Sequence, residues 1–176
     1  MGDTKERTEQ NYKKSALTDD ERKFFGGVNQ VKYAMMLAEN WCGDVHRNSP
    51  LVAHIAEAMP GCELRVFFRD QNLDLTDCFL NNGYRSIPVT VFFDKEWNEI
   101  GRWVERAHVA TGKTFAVRSK TLDVAPPDKD KQDAAMTEYR KLVQKEYDVP
   151  GGPLWREAAK EIRQVLETRL GLAPKK

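Results

Sequence analysis

Glu39-Asn40-Trp41-Cys42-Gly43-Asp44-Val45-His46 is the stretch on which the reading of this chain turns. An apolar run, Val31 to Ala38, leads into it, and an amphipathic segment from Arg47 to Met59 leads out. A cysteine between a strand end and a helix start stands where unpaired backbone N–H groups and the helix dipole favour negative charge. A thiolate is such a charge, so the position is expected to draw the Cys42 pKa from about 8.5 towards 7 or below. The thiolate is the reactive form, which makes Cys42 the candidate nucleophile.

The flanking segments give the order of elements. Residues 1–17 are polar and read as helical or frayed. Thr18-Asp19-Asp20-Glu21 has the T-x-x-E form of a capping box and predicts a short helix through Phe25, ended by Gly26-Gly27. Val31, Tyr33, Met35, Met36 and Leu37 read as a strand buried on both faces. From Cys42 a helix is predicted to Met59, on the spacing of Leu51, Val52, Ile55, Ala56 and Met59. Pro50 either kinks it or opens a second segment capped by Ser49. Leu64, Val66 and Phe68 alternate with polar and aromatic neighbours as a second strand. Leu73 to Asn82 reads as a short helix closed by Gly83. Val89 to Phe93 and Ile100 to Val104 read as a hairpin across the polar turn Asp94 to Asn98. Residues 105–125 stay open between a strand and a broken helix, since Gly112 argues against a long one. Asp130 to Tyr147 and Pro153 to Leu170 are amphipathic, the second with Leu154, Ala158, Ile162, Val165, Leu166 and Arg169 on one face. This order gives an α/β fold with a mixed sheet, and it sets the start of the Cys42 helix at the carboxyl ends of strands, where open α/β sheets place their sites.

Composition narrows the function classes. The chain has 176 residues, 40% hydrophobic and 31% charged, with a net charge of +1. That balance points away from nucleic acid or an anionic membrane as partner. No apolar run approaches the roughly 20 residues that span a bilayer. Met1 to Lys14 carries no apolar segment of the secretory kind. Three widely spaced cysteines make no disulfide framework, and reduced thiols suggest a cytoplasmic location. The expected organisation is an N-terminal helical extension over residues 1–29, a core over 30–124, and a C-terminal helical extension over 125–176 packed on it.

With this layout, Trp41-Cys42-Gly43-Asp44 followed by Ser86-Ile87-Pro88-Val89 resembles the thioredoxin superfamily. The resemblance implies a thioredoxin-like fold, a central mixed sheet of four or slightly more strands flanked by helices. More narrowly, these stretches and Arg69-Asp70-Gln71-Asn72-Leu73-Asp74-Leu75 look like a bacterial thioredoxin-like group with a W-C-G-D-C motif. The match covers about residues 30–104. In the family the first motif cysteine attacks a substrate disulfide and the second resolves the mixed disulfide. Here Val45 stands at the second position, and Met36 stands where thioredoxins carry a buried acid. The resemblance further implies a cis Pro88 facing Cys42, and a docking groove shaped by Trp41, Gly43, Asp44, Val45, Ile87 and Pro88. Taken without it, Pro88 reads as a trans proline opening a strand.

Two readings of Cys42 stand at this point. One is a thiol-disulfide oxidoreductase working through Cys42 alone, with protein or low-molecular-weight thiols or disulfides, glutathione among them, as partners. The other is a redox-inactive binding module that keeps the groove and has lost the chemistry. Cys62 and Cys78 are expected to be small buried hydrophobes away from the site, so the resolving thiol comes from outside. Cys42 and His46 are spaced i, i+4, which suits a Cys–His pair. With no second pair at metal spacing, neither a metal nor a cofactor is expected. Asp44 suits the helix dipole yet opposes ionisation of Cys42. His54 and His108 have no evident partner, and the charged terminal segments read as solvated helix faces.

Overall fold

The computed structural model describes residues 2–172. Its centre is β1 (Tyr33–Ala38), which pairs in parallel with β2 (Glu63–Phe68) and antiparallel with β3 (Val89–Phe93). β4 (Glu99–Val104) closes the antiparallel side, so the strand order is β2-β1-β3-β4. The sheet is mixed, four-stranded and flanked by helices, which is the thioredoxin-like α/β fold expected from the sequence. A parallel neighbour requires a crossover, and α3 (Gly43–Ala58) supplies it between β1 and β2. Met36, Leu37, Leu51, Val52, Ile55, Val91 and Phe92 form the centre of the apolar core.

The N-terminal segment is helical: α1 (Gly2–Lys14) precedes α2 (Asp19–Gly26). The Thr18 capping box is present in full, with Thr18 Oγ1 accepting from the Glu21 amide and Glu21 Oε2 accepting from the Thr18 amide at 2.8 Å. The C-terminal pair is α6 (Lys129–Tyr147) and α7 (Pro153–Leu170). α7 packs on β4 and α3, and Gly101 leaves room for it, because a Cβ there would lie 2.6 Å from Val165. Arg169, expected on the packed face of α7, is exposed, and Trp155 is buried on it instead.

Two local expectations are corrected and one open reading is settled. The helix expected from Leu73 to Asn82 is α4 (Leu73–Asp77) alone, and Asn81 and Tyr84 then exchange two backbone hydrogen bonds of 2.9 Å. Asn82 and Gly83 between them both have positive φ, 50° and 82°. Asn-Gly is the pair that best adopts a turn with two left-handed residues, so Gly83 serves a tight turn rather than a helix end. Residues His108–Arg118 form a helix, α5, with Gly112 exposed inside it. Cys78 is exposed at the end of α4, and Cys62 is half-buried, its thiol pushed up to about 11 chiefly by desolvation. Neither is the fully buried hydrophobe expected.

Pro50 sits inside a single continuous α3, with no second segment. A proline has no N–H for the carbonyl four residues back and its ring crowds that carbonyl. The His46 carbonyl, which loses its partner this way, accepts instead from Asn11 Nδ2 of α1 at 2.9 Å. The Arg47 carbonyl accepts from Trp155 Nε1 of α7 at 2.7 Å. Asn11 is 2% exposed and Trp155 1%, so both donors are withdrawn from water. Helices from both ends of the chain are thereby fastened to the helix that Cys42 opens. Replacing Asn11 with Ala leaves a buried carbonyl unpaired and is expected to cost about 1–3 kcal/mol by urea unfolding. In a Pro50→Ala background, which returns an N–H to that carbonyl, the same replacement is expected to cost measurably less.

Candidate functional site

Cys42 is the N-cap of α3, so its backbone is extended while the next residue begins the helix. Its Sγ lies 3.6 Å from the Ile87 carbonyl, and the Ile87–Pro88 peptide bond is cis. The tertiary structure therefore brings together Cys42, Gly43, Asp44 and Val45 at the helix start with Ile87 and Pro88 at the mouth of β3. Val45 and Ile87 are buried beside the cysteine. The Ile87 amide makes no hydrogen bond among the described residues. Trp41 is not core: it is 51% exposed, its indole N–H donates to Asp70 at 3.3 Å, and the Arg69 guanidinium lies 4.8 Å from its ring centre.

The electrostatics differ from the expectation. Burial pushes the Cys42 thiol up, and the Asp44 carboxylate adds to that. The N–H groups of Val45 and Asp44 and the Arg47 guanidinium pull the other way without winning. The helix start alone predicts a depressed thiol. The walls that tertiary packing builds around the sulfur remove the water that would stabilise a thiolate, and desolvation decides the sign. The resting group is a thiol beside the Ile87 carbonyl.

Asp44, 8% exposed, is the hub of the charges. One carboxylate oxygen accepts from Arg47 at 3.1 Å; the other accepts from Arg106, through Nε at 3.0 Å and also through Nη2. Arg106 is aimed by Glu105, which adopts φ 60°, a left-handed conformation sparsely populated by residues other than glycine. Both backbone groups of Glu105 are held: its amide donates to the Pro88 carbonyl at 2.7 Å and its carbonyl accepts from Asn48 at 3.1 Å. Asn48 also bonds to the Asp44 carbonyl and the Tyr147 hydroxyl. Sequence reasoning missed Arg47, Asn48, Glu105 and Arg106. Arg47 was findable, three residues after Asp44 on a helix; Arg106, 62 residues away, carried no local signal.

His46 does not turn to Cys42. Its Nε2 donates to the Asn40 carbonyl and its Nδ1 lies 3.0 Å from Thr8 Oγ1, with desolvation lowering its pKa. Among the described residues no three His, Cys, Asp or Glu side chains gather as a metal site. His54, expected to be unpartnered, bonds the Tyr12 carbonyl at 2.8 Å and packs against the Tyr12 ring. The His108 amide donates to Glu161. All three cysteines are free, and no helix among the described residues is long and apolar enough to cross a membrane.

A cysteine capping the first crossover helix opposite a cis-proline strand, on a β2-β1-β3-β4 sheet, defines a thioredoxin-like protein. A thioredoxin family model matches residues 1–120, and the chain belongs to that family. The fold is also that of a crystal structure of a protein of unknown function from Pseudomonas aeruginosa, 18% identical, with a TM-score of 0.63 over 96% of this chain and 86% of that one. An HIV epitope-scaffold is similar to the same degree, 17% identical with a TM-score of 0.63 over 96% of this chain and 87% of its own. None of the curated proteins matches the sequence.

Asp44 raises the Cys42 thiol and is the shared counter-ion of two guanidinium groups. Asp44→Asn is therefore expected to lower the midpoint of Cys42 alkylation against pH. It also leaves Arg47 and Arg106 short of a counter-charge, so stability is expected to fall by about 3 kcal/mol in denaturant unfolding.

Proposed function

We propose that this protein is a single-cysteine thiol-disulfide exchange protein of the W-C-G-D-C group, with Val45 in the place of the second motif cysteine. The observation that carries the reading is the placement of Cys42 Sγ at the start of α3, 3.6 Å from the carbonyl of the cis Ile87–Pro88 bond. An extended partner chain would lie along Trp41, Gly43 and the Ile87–Pro88 edge, and the unbonded Ile87 amide offers it a backbone donor, as in β-strand addition. Asp44 and Val45 complete the groove, and residues 30–124 form the unit that carries it, between helical segments at either end. Free cysteines suit a reducing, cytoplasmic setting.

The exchange is balanced within the two molecules. The Cys42 thiol gives its proton to solvent, and the thiolate sulfur bonds one sulfur of the partner disulfide as that S–S bond breaks. The departing thiolate then takes up a proton. Val45 offers no thiol to resolve the mixed disulfide, and Cys62 lies just before β2 and Cys78 just after α4, neither at the start of α3 with Cys42. Release therefore falls to an external thiol, either glutathione or a protein thiol. With the thiol raised by burial, the first step is slow at neutral pH and quickens as the solution becomes alkaline.

That raised thiol, together with Val45, also favours a second reading: a thioredoxin-fold module that binds extended chains without redox chemistry. Alkylation of Cys42 is expected to show a midpoint above that of a free cysteine, about 8.5. Incubation with glutathione disulfide at pH 9 is expected to yield one adduct per chain, absent in Cys42→Ser. Absence of the adduct in the unmodified protein would leave the binding module as the function. The variant V45C is expected to reduce a model disulfide with turnover, since it supplies the missing resolving group; an inactive V45C would show that more of the site than one thiol has been lost.

A further inference from the structure

On the far side of the cysteine loop lies a second cavity, of about 810 Å3, between α1 and α6. Trp41, Gly43 and His46 form part of its floor, but Cys42 does not line it. Five cationic side chains line it, Arg7, Arg47, Arg140, Lys141 and Lys145, against two anionic ones, Glu6 and Asp148. For a chain whose net charge is +1, that is a pronounced local excess. The two anions are already engaged: Asp148 takes Lys14 at 2.8 Å, and Glu6 accepts from Gln10. Arg140 and Lys145 have no ion-pair or hydrogen-bond partner among the described residues.

The cavity is built rather than incidental. The buried Asn11 side chain joins its walls, donating to the His46 carbonyl and accepting from Gln144 of α6 at 2.8 Å. Arg47 is 5% exposed, and its Nε has no hydrogen-bond partner. A buried guanidinium with an unpaired N–H is costly unless something else satisfies it. Gly43 makes room for that group, because a Cβ there would lie 2.8 Å from Arg47 Nη2. Arg47 is paired with Asp44 and Lys141 with Glu138, yet the cations still outnumber the anions that line the volume, and like charges gathered around it repel one another. An anion filling the volume would reverse the sign of that interaction.

We propose that this cavity is a binding site for a compact polyanion, a small molecule carrying two or more phosphate or carboxylate groups. Its volume falls within the range of small-molecule sites. Planar guanidinium groups match the oxygens of either anion in a two-pronged fashion, and the lysines add point charge. Trp41 and Gly43 are shared with the proposed docking groove, but Cys42 does not line the cavity, so binding of the anion requires no reaction at the thiol.

Isothermal titration of the full chain at about 0.05 M salt tests the assignment, with pyrophosphate in one arm and citrate in the other. At least one probe is expected to bind with a dissociation constant below about 1 mM. Binding of pyrophosphate alone identifies a phosphate-bearing ligand, binding of citrate alone a polycarboxylate, and binding of both the shared chemistry. The double variant R140Q/K145Q removes two exposed charges and is expected to weaken binding at least about tenfold. Its melting temperature without ligand is expected to equal or exceed that of the unmodified protein, because repulsion is relieved. Dissociation constants above about 1 mM for both probes, or an affinity unchanged in the double variant, would overturn the proposal.

Discussion

A proline in the middle of a helix deprives one carbonyl of its partner, and the architecture around the site follows from how that loss is made good. Pro50 leaves the His46 carbonyl without an N–H, and Asn11 from the first helix takes it. Trp155 from the last helix takes the neighbouring Arg47 carbonyl. Hydrogen bonds from buried donors are costly to lose, so each fixes a terminal helix at one place along α3. The segments that look like solvated extensions in the sequence therefore become walls: α1 and α6 face each other across the loop that precedes Cys42, and α7 closes over β4.

The same packing sets the chemistry of the sulfur. A helix start favours a thiolate, but only by a partial charge acting over one turn. Desolvation acts on the full charge and outweighs it here. Asp44 adds repulsion while being held by Arg47 and Arg106. The arrangement keeps a protonated thiol against the Ile87 carbonyl at rest, and a partner chain that engages the groove meets a sulfur that must lose its proton before it reacts.

The elements that follow local rules were legible. The capping box at Thr18, the apolar run of β3 and the amphipathic spacing of α7 each express a periodicity or a cap, and each formed where it was read. β2 formed too, but Val66 and Phe68, read on one face with Leu64, are exposed, while Leu64 and Phe67 pack on the core. The departures have particular causes. Asn82-Gly83 was read as a helix end because glycine stops helices, yet two adjacent left-handed residues make a tight turn. Gly112 was weighed as a helix breaker, but an exposed glycine costs only about 1 kcal/mol relative to alanine, which packing of α5 overrides. Cys62 and Cys78 were assigned to the interior on residue type, which carries no information about how short α4 is or how little covers the edge strand β2.

By itself the sequence determined that a cysteine would cap a helix between two strands, that a hairpin led by Pro88 would follow, and that no resolving cysteine stands at Val45. Those facts are local, fixed by spacing along the backbone. Only the tertiary structure decided that the Cys42 thiol is raised rather than lowered, that Asp44 is clamped by an arginine from beyond β4, and that α1 and α6 enclose a cationic cavity. Burial and charge pairing depend on distances through space between residues far apart in the chain, and these exist only once the helices have docked.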